Sequence, residues 1–267
     1  MNEETFPVIC SRTEVLAQER DQTMEKFEQG MQLIAEASAL AGRSLFDHKI
    51  MKPNAFGLPE SLPGSIEMGR IVIDTAFWKK AFSETQLERY WNHRKRNEFH
   101  EQLRNNTPLF SLGILRDTLR ETYLGRRHAL AEGFVDLLTG LDKKFKRNAV
   151  NYTMPDKFIL RGVFEGLPRL KWNGFHEHNI STLRDFENII CVCIGIPTPG
   201  HSTDMADRMK MLRQEEGTGD VVNENGWRCR VYANGNVHIS IDDPGLITAL
   251  NDLISIYFSG QLPEQGH

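Results

Sequence analysis

A chain of 267 residues with 40% apolar and 25% charged side chains has the composition of a folded globular protein, and the length for one large domain or two small ones. Its net charge of −4 supplies no global attraction to nucleic acid or to an anionic membrane, so any such binding must come from local patches. The longest apolar run, Ile189 to Ile194, is far too short to span a bilayer, and the acidic start Met1-Asn2-Glu3-Glu4 lacks the order of a secretory leader, so a cytoplasmic protein without a membrane partner is expected.

The first predicted element is a helix that starts at the capping box Ser11-x-x-Glu14 and ends near Gly42, with Leu16, Met24, Phe27, Met31 and Ile34 recurring at helical spacing. Its outer face is acidic, and its apolar stripe must be covered by the rest of the chain or by a second protomer. Arg70-Ile71-Val72-Ile73 reads as a short buried strand between Gly69 and Asp74. Thr75 to Phe82 is helical, and Ser83 caps a further helix that runs to about Arg104. Asn105-Asn106-Thr107-Pro108 breaks it, and helical spacing resumes from Leu112 to Leu141. A loop with one short strand at Phe158-Ile159-Leu160 follows.

Asn179 to Ile196 is predicted as a helical turn and then a strand, in which Cys191 and Cys193 share one buried side as free thiols. Ser202 to Gln214 is a polar helix, Gly217 to Gly226 a loop, Trp227 to Ile241 a hairpin, and Pro244 to Phe258 a closing helix. Helices first and strands mostly later predict an α+β fold with a long N-terminal helix, a mostly helical first half, and a small antiparallel sheet. The expected division is an N-terminal helical arm over 1–45 and an α+β core domain over 46–267.

The register of the hairpin carries the functional reading. A two-residue Asn234-Gly235 turn would mix apolar and charged side chains on both faces. A three-residue loop, Ala233-Asn234-Gly235, instead pairs Val231 with Val237, Cys229 with Ile239 and Trp227 with Ile241. Burial selects that register, because a one-residue slip exchanges the faces. Arg228, Arg230, Tyr232, His238 and Ser240 then share the opposite face, with Arg230 across from His238. Histidine moves protons near neutral pH, and the arginine fork matches phosphate oxygens. The set suits metal-independent RNA cleavage, plain phosphate binding, or simply a solvated sheet face.

Other candidates are weaker. Arg94 and Arg96 lie among aromatic residues on a helix whose glutamates nearly cancel their charge. Lys143, Lys144, Lys146 and Arg147 form a more uniform basic cluster at a helix end, where cations also suit the helix dipole. Glu187, with Asp185, offers a carboxylate for acid–base work or for capping. His176-Glu177-His178, with His201, lacks zinc-ligand spacing, so no metal is expected. A phosphate loop, a glycine-rich dinucleotide turn, a nucleophile elbow and a His-Glu-x-x-His run are all missing, and no cofactor is expected.

Several ordered pieces resemble the bacterial and phage family called domain of unknown function 4942. Arg126-Arg127, Phe134, Leu138, Leu141-Asp142 and Phe145 resemble its central helix. Leu183-Arg184-Asp185-Phe186-Glu187 resembles its short acidic motif. The run from Trp227 to His238 resembles its hairpin signature, and Leu246, Leu250 and Asn251 the helix that follows. The likeness covers roughly residues 45–260. The resemblance implies a setting in prophages, plasmids or genomic islands, with some members accompanying DNA methyltransferases. A Ser-His-Asp run usual in the family after the central helix has no counterpart in Asn148 to Asp156.

The expected function is action on nucleic acid, RNA ahead of DNA, by a toxin or phage-defence factor of a mobile element. As an endoribonuclease it would use Arg228, Arg230, Tyr232, His238 and Glu187. One alternative is a non-catalytic adaptor for DNA or for a methyltransferase; a methyltransferase or an antitoxin are the expected protein partners. Another is a structural homo-oligomer built through the N-terminal helix.

Overall fold

The computed structural model describes residues 5–40, 62–141, 153–164, 177–200, 202–215, 217–223 and 225–259. They form two compact units, one drawn from the described residues within 1–88 and 97–124, the other from those within 89–96 and 125–267. Among the described residues no helix is long and apolar enough to cross a membrane.

The first unit is helical. Helix α1 (Thr5–Leu40) packs along α2 (Leu62–Thr85). Leu16, Met24 and Met31 of α1 are buried, so the chain itself covers that stripe. At Gly69 a Cβ would lie 2.1 Å from the Phe27 ring, which shows how closely the two helices approach there. Ion pairs join elements within the unit: Arg116 pairs with Glu14 of α1, Lys80 with Glu19 of α1 at 2.5 Å, and Arg12 of α1 reaches Glu84 of α2 through two bonds of 2.6 and 2.9 Å. Helix α1 begins at Thr5, so Ser11 lies inside it and does not cap it.

Residues 69–74 are helix and not the expected strand. The β-branched run favours extension locally, but burial at Asp74, Trp78, Ala81 and Phe82 repeats with helical spacing while Val72 is exposed. Packing of that stripe outweighs local preference. The helix expected from Ser83 to Arg104 is also interrupted. Gln86 takes a positive φ of 53°, a 3-10 turn covers Leu87–Tyr90, and α3 (His93–Asn105) starts afresh. Helix α4 (Leu112–Leu141) follows the predicted break.

The second unit is built on a four-stranded antiparallel sheet in the order β1-β4-β3-β2, from β1 (Lys157–Leu160), β2 (Gly219–Asn223), β3 (Trp227–Val231) and β4 (Val237–Ile241). Strand β2 occupies half of the stretch expected to be loop. Two valines between Gly219-Asp220 and Asn223 are too short a strand signal to stand alone, and β2 forms because β3 offers it an unpaired edge. Helix α5 (Glu177–Cys193) replaces the expected turn and strand. Ile180, Leu183, Phe186 and Ile190 form a helical stripe in the core cluster, which carries the helix through the Ile-Ile-Cys-Val-Cys run. Helix α6 (Met205–Glu215) and α7 (Pro244–Ser259) complete the unit.

The fold is therefore α+β, with the hairpin in the predicted register: Trp227 faces Ile241, Cys229 faces Ile239, Arg230 faces His238 and Val231 faces Val237. The Tyr232 amide bonds to Asn236 O at 3.0 Å and the Gly235 amide to Tyr232 O at 2.9 Å, closing the three-residue loop. Gly235 has φ of +82°, the left-handed geometry that a bulged turn requires. Trp227, Cys229, Val231, Val237, Ile239 and Ile241 are all buried, as one apolar face demands.

Candidate nucleic-acid interface

Strand alternation places two rows of side chains across the open face of the sheet. One row runs Ile159, His238, Arg230, Asp220; the next runs Lys157, Ser240, Arg228, Val222. Tyr232 follows at the loop end of β3. Its ring lies 4.2 Å from that of His238, centroid to centroid, and the Arg230 guanidinium lies 5.7 Å from the tyrosine ring. Four of the five residues expected to do chemistry therefore share one face.

The cations on this face are loosely held. Arg228 is 3.3 Å from Asp242 and Arg230 is 3.6 Å from Asp220, and all four side chains are about half exposed. Such surface pairs contribute about 0–1 kcal/mol each, so a phosphate can displace the carboxylates at little cost. Lys157 and Arg161 are exposed on β1 and just beyond it. Together with Arg228 and Arg230 they outnumber Asp220 and Asp242.

The loop beneath this patch is fixed from inside the unit. Arg213, 2% exposed, donates to Gly217 O at 2.6 Å, Tyr232 O at 3.1 Å and Ala233 O at 3.2 Å. Asn236 Oδ1 accepts from the Gly162 amide at 3.0 Å, and Gly235 O accepts from the Val163 and Phe164 amides. The Asn-Gly-Asn run is thus scaffold, and it presents Tyr232 and His238. Sequence reasoning missed Arg213, whose position in a polar helix gives no hint of burial.

The fifth expected residue, Glu187, is elsewhere. It is 3% exposed, lies on α5, and accepts from the Met205 amide at 2.8 Å at the start of α6. Burial first, and the Glu187 carboxylate second, hold the Cys229 thiol well above its usual range. Cys229 points into the core, so Glu187 sits on the opposite side of the sheet from His238. Burial also raises the Cys191 and Cys193 thiols to about 11, which makes them poor nucleophiles.

The whole Arg-Asp-Phe-Glu motif resolves into structural tasks. Arg184 bonds to Asp204 at 2.8 Å, and Asp204 caps α6 through the Asp207 amide at 2.7 Å. Asp185 accepts the His93 amide through both oxygens at 2.9 Å and pairs with Arg96 at 2.7 Å. Phe186 meets Trp227 and Phe158 edge-on at 5.5 and 5.1 Å. Arg96 is therefore engaged internally, and Arg94 pairs with Asp136 at 2.7 Å while remaining exposed. Neither joins the hairpin patch. Lys143, Lys144, Lys146 and Arg147 lie outside the described residues, as do His176 and His201.

Glu187 yields a pH prediction. Burial raises its pKa from the ordinary 4.5 to about 7. Between those values the folded chain keeps a proton that the unfolded chain has released. Its contribution to stability therefore falls as pH rises through this window, and the loss is complete above about 7. Glu187→Gln stays neutral and still accepts the Met205 amide. Urea unfolding from pH 4 to 8 is expected to show the variant gaining on the wild type as pH rises, by on the order of 3 kcal/mol at the top. Parallel curves would contradict it.

A protein-family model described as Domain of unknown function (DUF4942) matches residues 71–260, well over half of the chain. No curated protein and no solved structure matches significantly.

Proposed function

Because the chain belongs to the DUF4942 family, whose function is unknown, we propose a function from the sheet face itself: the protein acts on nucleic acid, holding an RNA backbone against Arg228 and Arg230. His238 then takes the 2′-hydroxyl proton. The 2′-oxygen bonds to phosphorus, the 5′-oxygen leaves and takes a proton from water, and the products are a 2′,3′-cyclic phosphate and a 5′-hydroxyl. The observation that carries this reading is the cross-strand pair of Arg230 and His238, with the Tyr232 ring 4.2 Å from the imidazole. The arginine forks suit the charge that grows on the phosphate oxygens. In the cell such an activity fits a toxin or defence factor.

A second reading is favoured by the position of Glu187. With that carboxylate on the far side of the sheet, His238 has no acidic partner beside it among the described residues, which suits an adaptor that binds nucleic acid without cutting it. Incubating the purified chain with end-labelled RNA in excess chelator separates the two. Cleavage is expected to leave cyclic phosphate ends and to fall about a hundredfold in His238→Ala. Arg230→Ala is expected to weaken RNA binding about tenfold. RNA bound but left intact would remove the nuclease, and RNA neither bound nor cut would remove the RNA reading and leave only an adaptor for DNA or a methyltransferase.

A further inference from the structure

We propose that the strand taken by this face is single, an inference that rests on the reading of the face as an RNA-binding surface. Four strands about 4.8 Å apart make a platform about 14 Å across before side chains are added. The major groove of a B-form duplex, about 12 Å wide, admits a helix or a two-stranded ribbon and no broader sheet. The major groove of an A-form duplex is narrower still, and its shallow minor groove offers edges and 2′-hydroxyls but no base face.

What the sheet presents at its centre is suited to a base face. Arg230, Tyr232 and His238 form one continuous patch of guanidinium and ring surface, through contacts of 5.7 and 4.2 Å. A paired base is already stacked on both sides by its neighbours, whereas an unpaired base can lie flat on such a patch. Exposed Ile159 and Val222, from the two outer strands, extend the surface with apolar area next to His238 and Arg228. Lys157, Arg228 and Arg230 stand at intervals where a flexible backbone can follow them. Charge and ring surface therefore alternate over one open face, as single-strand binding needs.

The proposed chemistry asks for the same substrate. Attack by a 2′-oxygen requires that it, the phosphorus and the departing 5′-oxygen fall on one line. A regular A-form helix holds them out of line, and only an unpaired linkage rotates freely enough to reach that arrangement.

The test uses the full chain and fluorescence anisotropy with a labelled 12-nucleotide RNA, alone or annealed to its complement. The wild-type protein is expected to bind the unpaired strand at least tenfold more tightly than the duplex. Tyr232→Leu is expected to lose about tenfold on the unpaired strand, the scale of one stacked base. Equal or tighter binding of the duplex overturns the single-strand inference and leaves the RNA-binding reading intact. Unchanged affinity in Tyr232→Leu overturns the stacking role. Binding of neither form overturns the RNA-binding reading itself, and the comparison on the wild-type chain stands whether or not the variant folds.

Discussion

Replacing Asp74 by alanine is expected to lower the unfolding free energy by about 3–5 kcal/mol, read from urea titration followed by circular dichroism. Asp74 lies on α2 and is fully buried, yet it carries a carboxylate. Three donors surround it. Arg20 of α1 bonds to one oxygen at 2.7 Å, while Arg70, one turn earlier on α2, and the Phe110 amide bond to the other at 2.9 and 3.2 Å. One side chain thereby joins α1, α2 and the segment that leads into α4. Alanine would leave the Arg20 guanidinium, itself only 12% exposed, with the exposed Asp21 as its carboxylate, and would leave a buried amide unpaired. Asp74→Asn keeps the shape and one acceptor while losing the charge, and should fall between alanine and wild type. A wild-type denaturation midpoint in Asp74→Ala would show that the clamp contributes nothing.

The second large effect is expected at Trp227. Its indole fills the core beneath the hairpin, against Phe186, and the indole N–H has no hydrogen-bond partner among the described residues. Trp227→Ala removes the largest side chain of the hairpin's apolar face and opens a cavity, at a cost of about 3–5 kcal/mol. Trp227→Phe loses volume but also removes the unsatisfied donor. The two changes oppose each other, so phenylalanine is expected within about 1.5 kcal/mol of wild type. Because Trp227 adjoins Arg228 and pairs with Ile241, the alanine variant should also loosen the first turn of the open face. Thermal unfolding of both variants gives the comparison. A phenylalanine variant as unstable as alanine would mean that the indole N–H is satisfied after all.

The Arg-Asp-Phe-Glu motif leaves two tasks open in the sequence, acid–base work or capping, and the contacts in the fold are those of capping and pairing. The sequence places Glu187 among candidate acid–base groups because two carboxylates stand close together near an apolar run. Its partner, the Met205 amide, is 18 residues away, and the fold alone brings it within 2.8 Å. Asp185 serves the His93 amide, 92 residues earlier in the chain. Neither pairing has a local signature. The same holds for Arg213, a residue in a polar helix that becomes the buried support of the Tyr232 loop.

Alternation of apolar and polar residues from Trp227 to Ile241, with Asn-Gly between, determined by itself the hairpin, its three-residue loop and the face on which Arg228, Arg230, Tyr232 and His238 meet. That was possible because strand parity ties every side chain to one face, so burial of one set settles the position of the other. The long helices were legible for a similar reason, since their apolar stripes repeat over several turns. Only the tertiary structure decided that 69–74 and 188–193 are helical, that 219–223 is a strand, and that Glu187 lies under the sheet. A short β-branched run takes the form in which its neighbours can bury it, and an edge strand exists only once another strand offers its free backbone.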